Sequence, residues 1–537
     1  MRVRTLPRWA AAAFALTLLA GCTPQTPTPT TAPPAPSTAA AAPSSAAPAG
    51  EVITVSEVVG LEVDRPRSAD PKAEPKGFAD APSGKGLAGY LDQRVQWRTC
   101  AEQYQCAQIL APLDYANPSE QAITLALAKK PATKSPKLGT LFVNPGGPGA
   151  SGRNLVTYLA TTGLEQYDIV GWDPRGTGAS TPVACLSDRA TDALNLLDGS
   201  PDDQAETDAL IVGARNLARG CWQNSGPLLA HISTIDTVRD LDLLRRLLGD
   251  KKLNYLGYSY GTQIGATYAE LFPQHTGRLV LDAAVDITDD EEIIQAMGFD
   301  KALSNFAAWC AGERCTLGIS SAEVLSSITG LFDELDAEPL DVGDRVLTQS
   351  LAVTGVAAYL YGGVPAWTAL ARDLTLAVSG DGEALLRASD VLNDRDEDGH
   401  YGSMSASFLA ISCLDSTDKG VQDADRQWLA DQKKAPILAK YFGPGITCPL
   451  WPVRSAPQLD LRGRGAAPLL VIGATGDPAT PYQQAVTMAK QLESAVLVTY
   501  EGEGHATYGN GRSTCVDGLV RDYLTRGVTP DADVRCR

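Results

Sequence analysis

Short apolar runs rich in β-branched residues alternate with stretches of helical periodicity from about residue 95 to the C-terminus. This alternation is typical of a mostly parallel sheet whose two faces are covered by helices. Residues 237–248 carry apolar side chains at helical spacing and are predicted to form a helix just ahead of the strand 253–258. The full set of predicted strands is 123–128, 140–144, 167–172, 253–258, 278–282, 467–473 and 495–500.

The alternation is interrupted between residues 290 and 440, where helix-like stretches occur without a convincing strand. We therefore predict an α/β fold in which a mainly helical cap, 290–440, is inserted after the strand that ends near Asp282. The core would then consist of two parts, 86–289 and 441–537. About 450 residues are available for folding, which suits one large domain with an insertion.

The first residues have the charge and hydrophobicity of an export signal. Three arginines precede an apolar run, 9–20, that is too short to span a bilayer. The run ends in Leu19-Ala-Gly-Cys22, which resembles the bacterial lipobox, so we predict a lipoprotein signal peptide over 1–21 and lipidation of Cys22. The alternative is an ordinary signal peptide that is cut nearby. Residues 22–85 are rich in Pro, Ala, Thr and Ser at their start and are expected to form a disordered tether and lead-in.

The net charge of -18 over 537 residues narrows the range of partners. Nucleic acid and anionic membrane surfaces both bind clustered Lys and Arg, so we expect neither as a direct partner. Any membrane contact would come from the lipid on Cys22, which would hold the protein at the outer face of the cell membrane, with part of it secreted. The oligomeric state does not follow from the sequence.

Ten cysteines are left once Cys22 is set aside, and an even number in an exported chain predicts up to five disulfides. Their connectivity does not follow from sequence, and our hypothesis is pairing in chain order, because neighbouring cysteines close short or moderate loops. The pairs are then Cys100–Cys106, Cys185–Cys221, Cys310–Cys315, Cys413–Cys448 and Cys515–Cys536. Because the chain has no Cys-x-x-Cys motif or Cys/His cluster, we predict neither a metal site nor a cofactor.

The strand predicted at 253–258 runs into Gly257-Tyr-Ser259-Tyr-Gly261, and a helix-compatible segment follows at once. A strand, a sharp turn and a helix form the context in which the serine of Gly-x-Ser-x-Gly becomes a nucleophile. The two glycines are expected where neighbouring backbone leaves no room for a Cβ atom. We therefore predict Ser259 as the nucleophile of an acyl transfer.

A serine hydroxyl needs a general base, and the base needs an acid that orients it. Of the four histidines, His505 directly follows the last predicted strand and is the predicted base, whereas the other three are interpreted as surface or loop residues. Asp477 also follows a strand and is the predicted acid, with Asp282 as the alternative. The order Ser259, Asp477, His505 is that of the α/β-hydrolase fold and differs from the orders in other serine-protease folds.

Acyl attack creates an oxyanion that requires two backbone N–H donors. We predict the amide of Tyr260, the residue after the nucleophile, as one donor. The second should come from Asn144-Pro-Gly-Gly-Pro-Gly149, where Gly146 is the first candidate and Gly147 the next. The alternative for this loop is a bare tight turn.

Another glycine-rich segment, Gly171-Trp-Asp-Pro-Arg-Gly-Thr-Gly178, carries an aspartate at a strand end. Asp173 comes too early in the chain to be the acid of this triad order. We predict instead that Asp173 fixes the turn by pairing with Arg175.

Taken together, the motifs resemble those of the exported tripeptidyl aminopeptidases of actinobacteria, which are relatives of the proline iminopeptidases. The resemblance covers about residues 95–537 and implies an α/β-hydrolase-fold serine exopeptidase that removes short peptides, expected to be tripeptides, from free N-termini beneath its cap. Pro145 stands where proline iminopeptidases have histidine, which argues against specificity for single prolines. The matching segments are 106–115, 144–149, 171–178, 257–262, 412–415 and 473–481.

An aminopeptidase has to bind an α-ammonium group, for which a buried or half-buried carboxylate is the best partner. One candidate is Asp415, beside Cys413. A second candidate is an acidic group at the start of the cap, although a solvated charged surface is the alternative reading of it. This group consists of Asp286, Asp289, Asp290, Glu291 and Glu292.

Two other functions stay open beside a peptidase with peptide substrates. The same triad serves carboxylesterases and lipases, and the fold does not choose between them. A lipid-anchored binding protein without catalysis is the other possibility, but its sequence would be expected to have lost Ser259, His505 or an oxyanion glycine.

Overall fold

The computed structural model describes residues 77–82, 86–288 and 292–537. The predicted signal peptide, most of the predicted tether, Cys22 and three of the candidate carboxylates, Asp289, Asp290 and Glu291, lie outside these ranges. The strands are β1 (Phe78–Asp80), β2 (Arg98–Ala101), β3 (Tyr104–Pro112), β4 (Gln121–Lys130), β5 (Gly139–Asn144), β6 (Tyr167–Trp172), β7 (Leu253–Tyr258), β8 (Thr276–Asp282), β9 (Leu340–Val342), β10 (Arg345–Leu347), β11 (Leu469–Gly476), β12 (Ala495–Glu503) and β13 (Val534–Cys536).

Helices connect these strands and cover the sheet. Those before the insertion are α1 (Leu87–Leu91), α2 (Gly152–Tyr158), α3 (Asp188–Asn195), α4 (Gln204–Ser225), α5 (Thr234–Leu247) and α6 (Tyr260–Leu271). The later ones are α7 (Gln295–Gly312), α8 (Ser321–Ala337), α9 (Gln349–Gly362), α10 (Val364–Val378), α11 (Glu383–Leu392), α12 (Met404–Asp415), α13 (Val421–Lys434), α14 (Tyr482–Gln491) and α15 (Thr514–Arg526). None of the helices in the described ranges is both long and apolar enough to cross a membrane.

The central sheet has the order β13-β12-β11-β8-β7-β5-β6-β4-β3-β2, with β1 beside β4. Pairing is parallel from β13 to β6 and antiparallel from β6 to β2. The central parallel strands are buried along most of their length, as their continuous apolar sequences require. The predicted α/β fold with a mostly parallel sheet is therefore confirmed.

Local sequence explains where the elements next to the site begin and end. The helix predicted at 237–248 starts earlier, at Thr234, because the Ser233 hydroxyl caps it by accepting the N–H of Asp236. Strands β11 and β12 run further than expected, since pairing resumes between Gly476 and Glu503 after an irregularity. These extensions bring the ends of both strands close to Asp477 and His505.

Helices α7 to α11 form a separate apolar cluster that we call the cap. The prediction of no strand in this region is wrong, because β9 and β10 pair as a short antiparallel hairpin. Each strand has three residues, which is too short for an alternating pattern to stand out. Helix α12 lies within the predicted insertion but packs into the main core cluster through Ile411 and Leu414.

All five disulfides proposed from chain order are present. They are Cys100–Cys106, Cys185–Cys221, Cys310–Cys315, Cys413–Cys448 and Cys515–Cys536. Cys413–Cys448 ties α12 to the segment before β11. The connectivity hypothesis is confirmed.

Candidate active site

Ser259 occupies the sharp turn between β7 and α6, with φ 55° and ψ -127°. A positive φ is strained for a residue with a Cβ atom, and such strain is concentrated at functional positions. A Cβ atom on Gly257 would lie 2.4 Å from the carbonyl oxygen of Gly261, and one on Gly261 would lie 2.9 Å from Asn144 Oδ1. Both positions therefore require glycine, as the motif predicted.

His505 and Asp477 meet just beyond the ends of β12 and β11. His505 Nδ1 lies 2.8 Å from Asp477 Oδ1 and 3.0 Å from Oδ2, and both side chains are buried. Asp477 Oδ1 also accepts the backbone N–H groups of Ala479 and Thr480, at 3.0 and 2.9 Å. The carboxylate is thus held in place and favours the tautomer with a proton on Nδ1, which leaves Nε2 able to accept a proton.

Ser259 lies at the same edge of the sheet as this pair, because β7, β8, β11 and β12 are consecutive parallel strands. In the described residues no hydrogen bond joins its hydroxyl to His505, whose recorded side-chain partner is Asp477. Hydroxyl–imidazole contacts are often long without substrate and tighten in the substrate complex. The edge carries the nucleophile, base and acid types that an acyl transfer needs.

Asp282, the alternative acid, has a different set of partners. Its Oδ2 atom accepts the N–H groups of Thr507 (2.9 Å) and Tyr508 (2.7 Å), and its main-chain oxygen accepts the N–H of Ser259 (2.9 Å). Asp282 therefore connects the loop after His505 to the serine turn, while Asp477 is the carboxylate that bonds to the imidazole.

The glycine loop after β5 packs directly on the serine turn. A Cβ atom on Gly146 would lie 2.9 Å from the Cβ of Ser259 and 3.0 Å from the nitrogen of Tyr260. The choice of Gly146 as the second oxyanion donor is wrong, however, because its N–H already donates to Asn144 Oδ1 at 2.9 Å. The N–H groups of Tyr260 and Gly147 have no recorded acceptor in the described part of the chain, which favours Gly147.

The predicted pair of Asp173 and Arg175 is also wrong. Arg175 donates two hydrogen bonds to Asp240, at 2.7 and 2.8 Å, in a fully buried ion pair. Asp173 instead accepts from the Ser151 hydroxyl at 2.5 Å and lies 3.6 Å from a guanidinium nitrogen of Arg153. The partner of Arg175 is distant along the chain, so no local pattern indicates it.

The proposed ammonium-binding carboxylates lie in different environments. Asp415 accepts the N–H of Thr234 at 2.9 Å and its hydroxyl at 2.6 Å, and the same hydroxyl lies 2.5 Å from the hydroxyl of Tyr260. Burial raises the pKa of Asp415 to about 6, although its bonds from Thr234 act in the opposite direction. Asp415 and Asp286 line one cavity of about 690 Å³ beside α6, whereas Glu292 is exposed at a turn.

Sequence reasoning missed Tyr361, a cap residue at the end of α9. Its carbonyl oxygen accepts the N–H of His505 at 3.0 Å, and its ring lies edge-on to the imidazole with centroids 5.1 Å apart. Arg512 donates to the carbonyl oxygens of Tyr361 (3.2 Å) and Glu503 (2.7 Å) and so supports the same loop. These contacts join distant segments and carry no motif.

Two protein-family models match the chain. One, described as "alpha/beta hydrolase fold", matches residues 139–379, and the other, described as "TAP-like protein", matches residues 435–536. The two matches together include every residue of the site described above except Asp415.

Curated relatives cover most of the chain. Serine protease Hip1 of Mycobacterium tuberculosis is 36% identical over 483 residues, which cover 83% of this chain and 91% of that protein. Tripeptidyl aminopeptidase of Streptomyces lividans is 32% identical over 490 residues, 86% of this chain and 89% of that protein. Carboxylesterase B of Mycobacterium tuberculosis is 35% identical over 512 residues, 89% and 95% of the two chains.

Proposed function

Because this chain belongs to the tripeptidyl aminopeptidase-like proteins of the α/β-hydrolase fold, and is thus a serine hydrolase, we propose that it is an exopeptidase that releases short peptides, expected to be tripeptides, from free N-termini. The observation that carries the proposal is the buried Asp477–His505 pair at the sheet edge where Ser259 occupies a strained turn. Ser259 is assigned as the nucleophile, His505 as the base and Asp477 as the orienting acid.

The chemistry follows from these roles. His505 Nε2 takes the hydroxyl proton as Ser259 Oγ attacks the peptide carbonyl carbon, and Asp477 stabilises the imidazolium that forms. The amides of Tyr260 and Gly147 receive the oxyanion. His505 then gives the proton to the leaving amine as the C–N bond breaks. Water activated by the same imidazole hydrolyses the acyl-enzyme and releases the short peptide.

Recognition of a free N-terminus is assigned to Asp415. Asp415 is half-buried, and a carboxylate whose pKa is raised by desolvation gains from a cation, because a bound ammonium replaces part of the lost hydration. The Tyr260 side chain and two hydrogen bonds, of 2.5 and 2.6 Å, connect the oxyanion amide to Asp415.

The test compares free and N-acetylated tripeptidyl p-nitroanilides, with a p-nitrophenyl ester as the substrate that needs no ammonium. Free peptides should be cleaved and acetylated ones should not, while the ester is hydrolysed regardless. Asp415→Asn should raise KM for the free peptide alone. Asp460→Asn is the matched control, because Asp460 lines the same cavity but is exposed. Equal cleavage of free and acetylated peptides would defeat the assignment.

A carboxylesterase is the second candidate function, and the relative named Carboxylesterase B is the observation that favours it. A panel of tripeptidyl amides, aminoacyl amides and fatty-acyl esters separates the two. Mass spectrometry of products from a mixed peptide library would then give the number of residues released per cut. Hydrolysis confined to esters would make the protein an esterase with the same nucleophile.

We also propose that a lipid on Cys22 holds the enzyme at the outer face of the cell membrane. The lipobox-like ending at Cys22 supports this, and five disulfides in the described residues suit an oxidising compartment. Cys22→Ala should abolish incorporation of a labelled fatty acid and shift the protein to the medium. Retention of the label in that variant would exclude this anchor.

A further inference from the structure

Asp282 lies at the end of β8 with no exposed surface. It contacts two of the three catalytic segments through main-chain hydrogen bonds. Its carboxylate accepts the N–H groups of Thr507 and Tyr508, directly beyond the histidine, and its carbonyl oxygen accepts the N–H of Ser259. The proposed mechanism leaves this carboxylate without a role.

We propose that Asp282 is a positioning residue that holds the histidine loop against the serine turn and places a second negative charge beside the imidazolium formed during attack. The inference rests on the proposed roles of Ser259 and His505. It assigns Asp282 no contact with substrate.

Strained backbone conformations occur in the two segments that Asp282 connects, the serine turn and the histidine loop. Within the described residues, positive φ values occur at Ser259 (55°), at Ala283 (58°), directly after Asp282, and at Ala506 (60°), directly after His505. Such conformations persist only where the surrounding structure holds them. Asp282 bonds to Ser259 itself and to the two residues after Ala506, so its hydrogen bonds hold both strained turns in one arrangement.

The electrostatic role follows from the groups that face the carboxylate. Burial raises the pKa of Asp282 to about 6, the amides of Tyr508 and Thr507 lower it, Asp477 raises it and His505 lowers it. Tyr258 and Arg512 also interact with the carboxylate. Because the interaction with His505 is mutual, ionised Asp282 favours the imidazolium. Among the described residues, the Oδ1 atom has no hydrogen-bond partner, whereas Oδ2 accepts both amides.

Two variants of Asp282 distinguish the effect of its hydrogen bonds on the position of the histidine loop from the effect of its negative charge. Asp282→Asn keeps an oxygen that can accept the two amides but removes the charge, whereas Asp282→Ala removes both. Tyr258→Phe is the matched control, because the Tyr258 hydroxyl donates to the carbonyl oxygen of Tyr508 at 3.1 Å without carrying charge. The rate of fluorophosphonate labelling of the mature protein, measured against pH, reports nucleophile activation without reference to peptide or ester specificity.

Asp282→Ala should slow labelling at pH 7.5 by about 100-fold, because displacing the base by about 1 Å has effects of this size. Asp282→Asn should slow it less and move the acid limb of the profile to lower pH by about half a unit, since the imidazolium loses a stabilising charge. Tyr258→Phe should slow labelling slightly and leave the limb in place. An unmoved limb in Asp282→Asn, or an equal movement in Tyr258→Phe, would overturn the inference.

Histidine NMR gives a second readout that needs no activity. The chain has only four histidines, so labelling them with ¹³C and comparing with His505→Gln assigns the resonance of His505. In Asp282→Asn its titration midpoint should move to lower pH, and an unchanged midpoint would overturn the inference even if Asp282→Ala does not fold. If the unmodified protein were not labelled by fluorophosphonate, the proposed function would fail, while the NMR result would still decide the role of Asp282.

Discussion

At the carboxyl edge of the sheet, Ser259, Asp282 and His505 are held by hydrogen bonds to main-chain groups, whereas the cap is held together by apolar side chains. Phe306, at the centre of the cap, is fully buried and packs against Trp309 and Trp367. We therefore expect small displacements of the side chains at the sheet edge to change the reaction rate. In the cap, we expect the loss of buried side-chain volume to change the free energy of unfolding.

The two regions meet through a few polar contacts that reach the catalytic loops. The carbonyl oxygen of Tyr361 accepts the N–H of His505 at 3.0 Å, and Asn305 donates to the Glu503 carboxylate at 2.9 Å. Lys301 donates to the carbonyl oxygen of Thr475 at 2.6 Å. The cap therefore supports the loops of both Asp477 and His505 without supplying a catalytic group.

The largest expected effect is the loss of turnover in variants of the catalytic residues at the edge of the sheet. Ser259→Ala and His505→Ala should each lower turnover on the order of a million-fold, because the triad acts as a unit. Circular dichroism should show little change in fold, and fluorophosphonate labelling should disappear in Ser259→Ala. Labelling that persists in that variant would place the nucleophile elsewhere.

In the cap, Phe306→Ala should lower the free energy of unfolding by about 3–5 kcal/mol, since it leaves a cavity among rings that cannot collapse fully. Urea denaturation measures the loss. Val364→Ala on the same cap, at a side chain with 47% exposure, is the control and should change stability by less than about 0.5 kcal/mol. Similar losses in the two variants would show that the cap has no packed centre.

The disulfides of the core and the cap close loops of different length, so their removal should lower the free energy of unfolding by different amounts. Replacing Cys185 and Cys221 by alanine opens a 36-residue separation in the core and should cost about 4 kcal/mol. The same change at Cys310 and Cys315 opens a separation of 5 in the cap and should cost about 2 kcal/mol. Denaturant titrations of the two double variants give both values, and a larger loss in the cap pair would contradict loop entropy as the cause.

The smallest expected effect is the pH dependence of KM for a substrate with a free N-terminus. The pKa of Asp415 is raised to about 6, so the carboxylate is ionised above that pH and becomes neutral as the pH falls through it. KM for a free tripeptidyl substrate should therefore rise about tenfold below pH 6, because a charge-assisted hydrogen bond is lost. KM for a p-nitrophenyl ester should stay constant, and Asp415→Asn should remove the difference. A parallel rise for both substrates would exclude Asp415 as the cause.

Local chemistry made much of the molecule predictable. The strand-turn-helix unit at Ser259 could be predicted from the sequence, because only glycines fit beside that turn. Asp477 and His505 were readable because polar residues just after parallel strands collect at one edge of the sheet. Disulfide pairing in chain order succeeded because each pair closes a short or moderate loop, with sequence separations from 5 to 36 residues.

What the sequence by itself determined is thus the α/β fold and the meeting of Asp477 with His505, while the disulfide pairs were a hypothesis that the structure bears out. Only the tertiary structure decided that Gly146 gives its N–H to Asn144, that Arg175 pairs with Asp240, and that the cap carbonyl at Tyr361 holds the histidine loop. The physical reason is that a motif encodes the backbone conformation of its own few residues. A hydrogen bond between distant segments depends on how whole layers pack, and no local pattern records that.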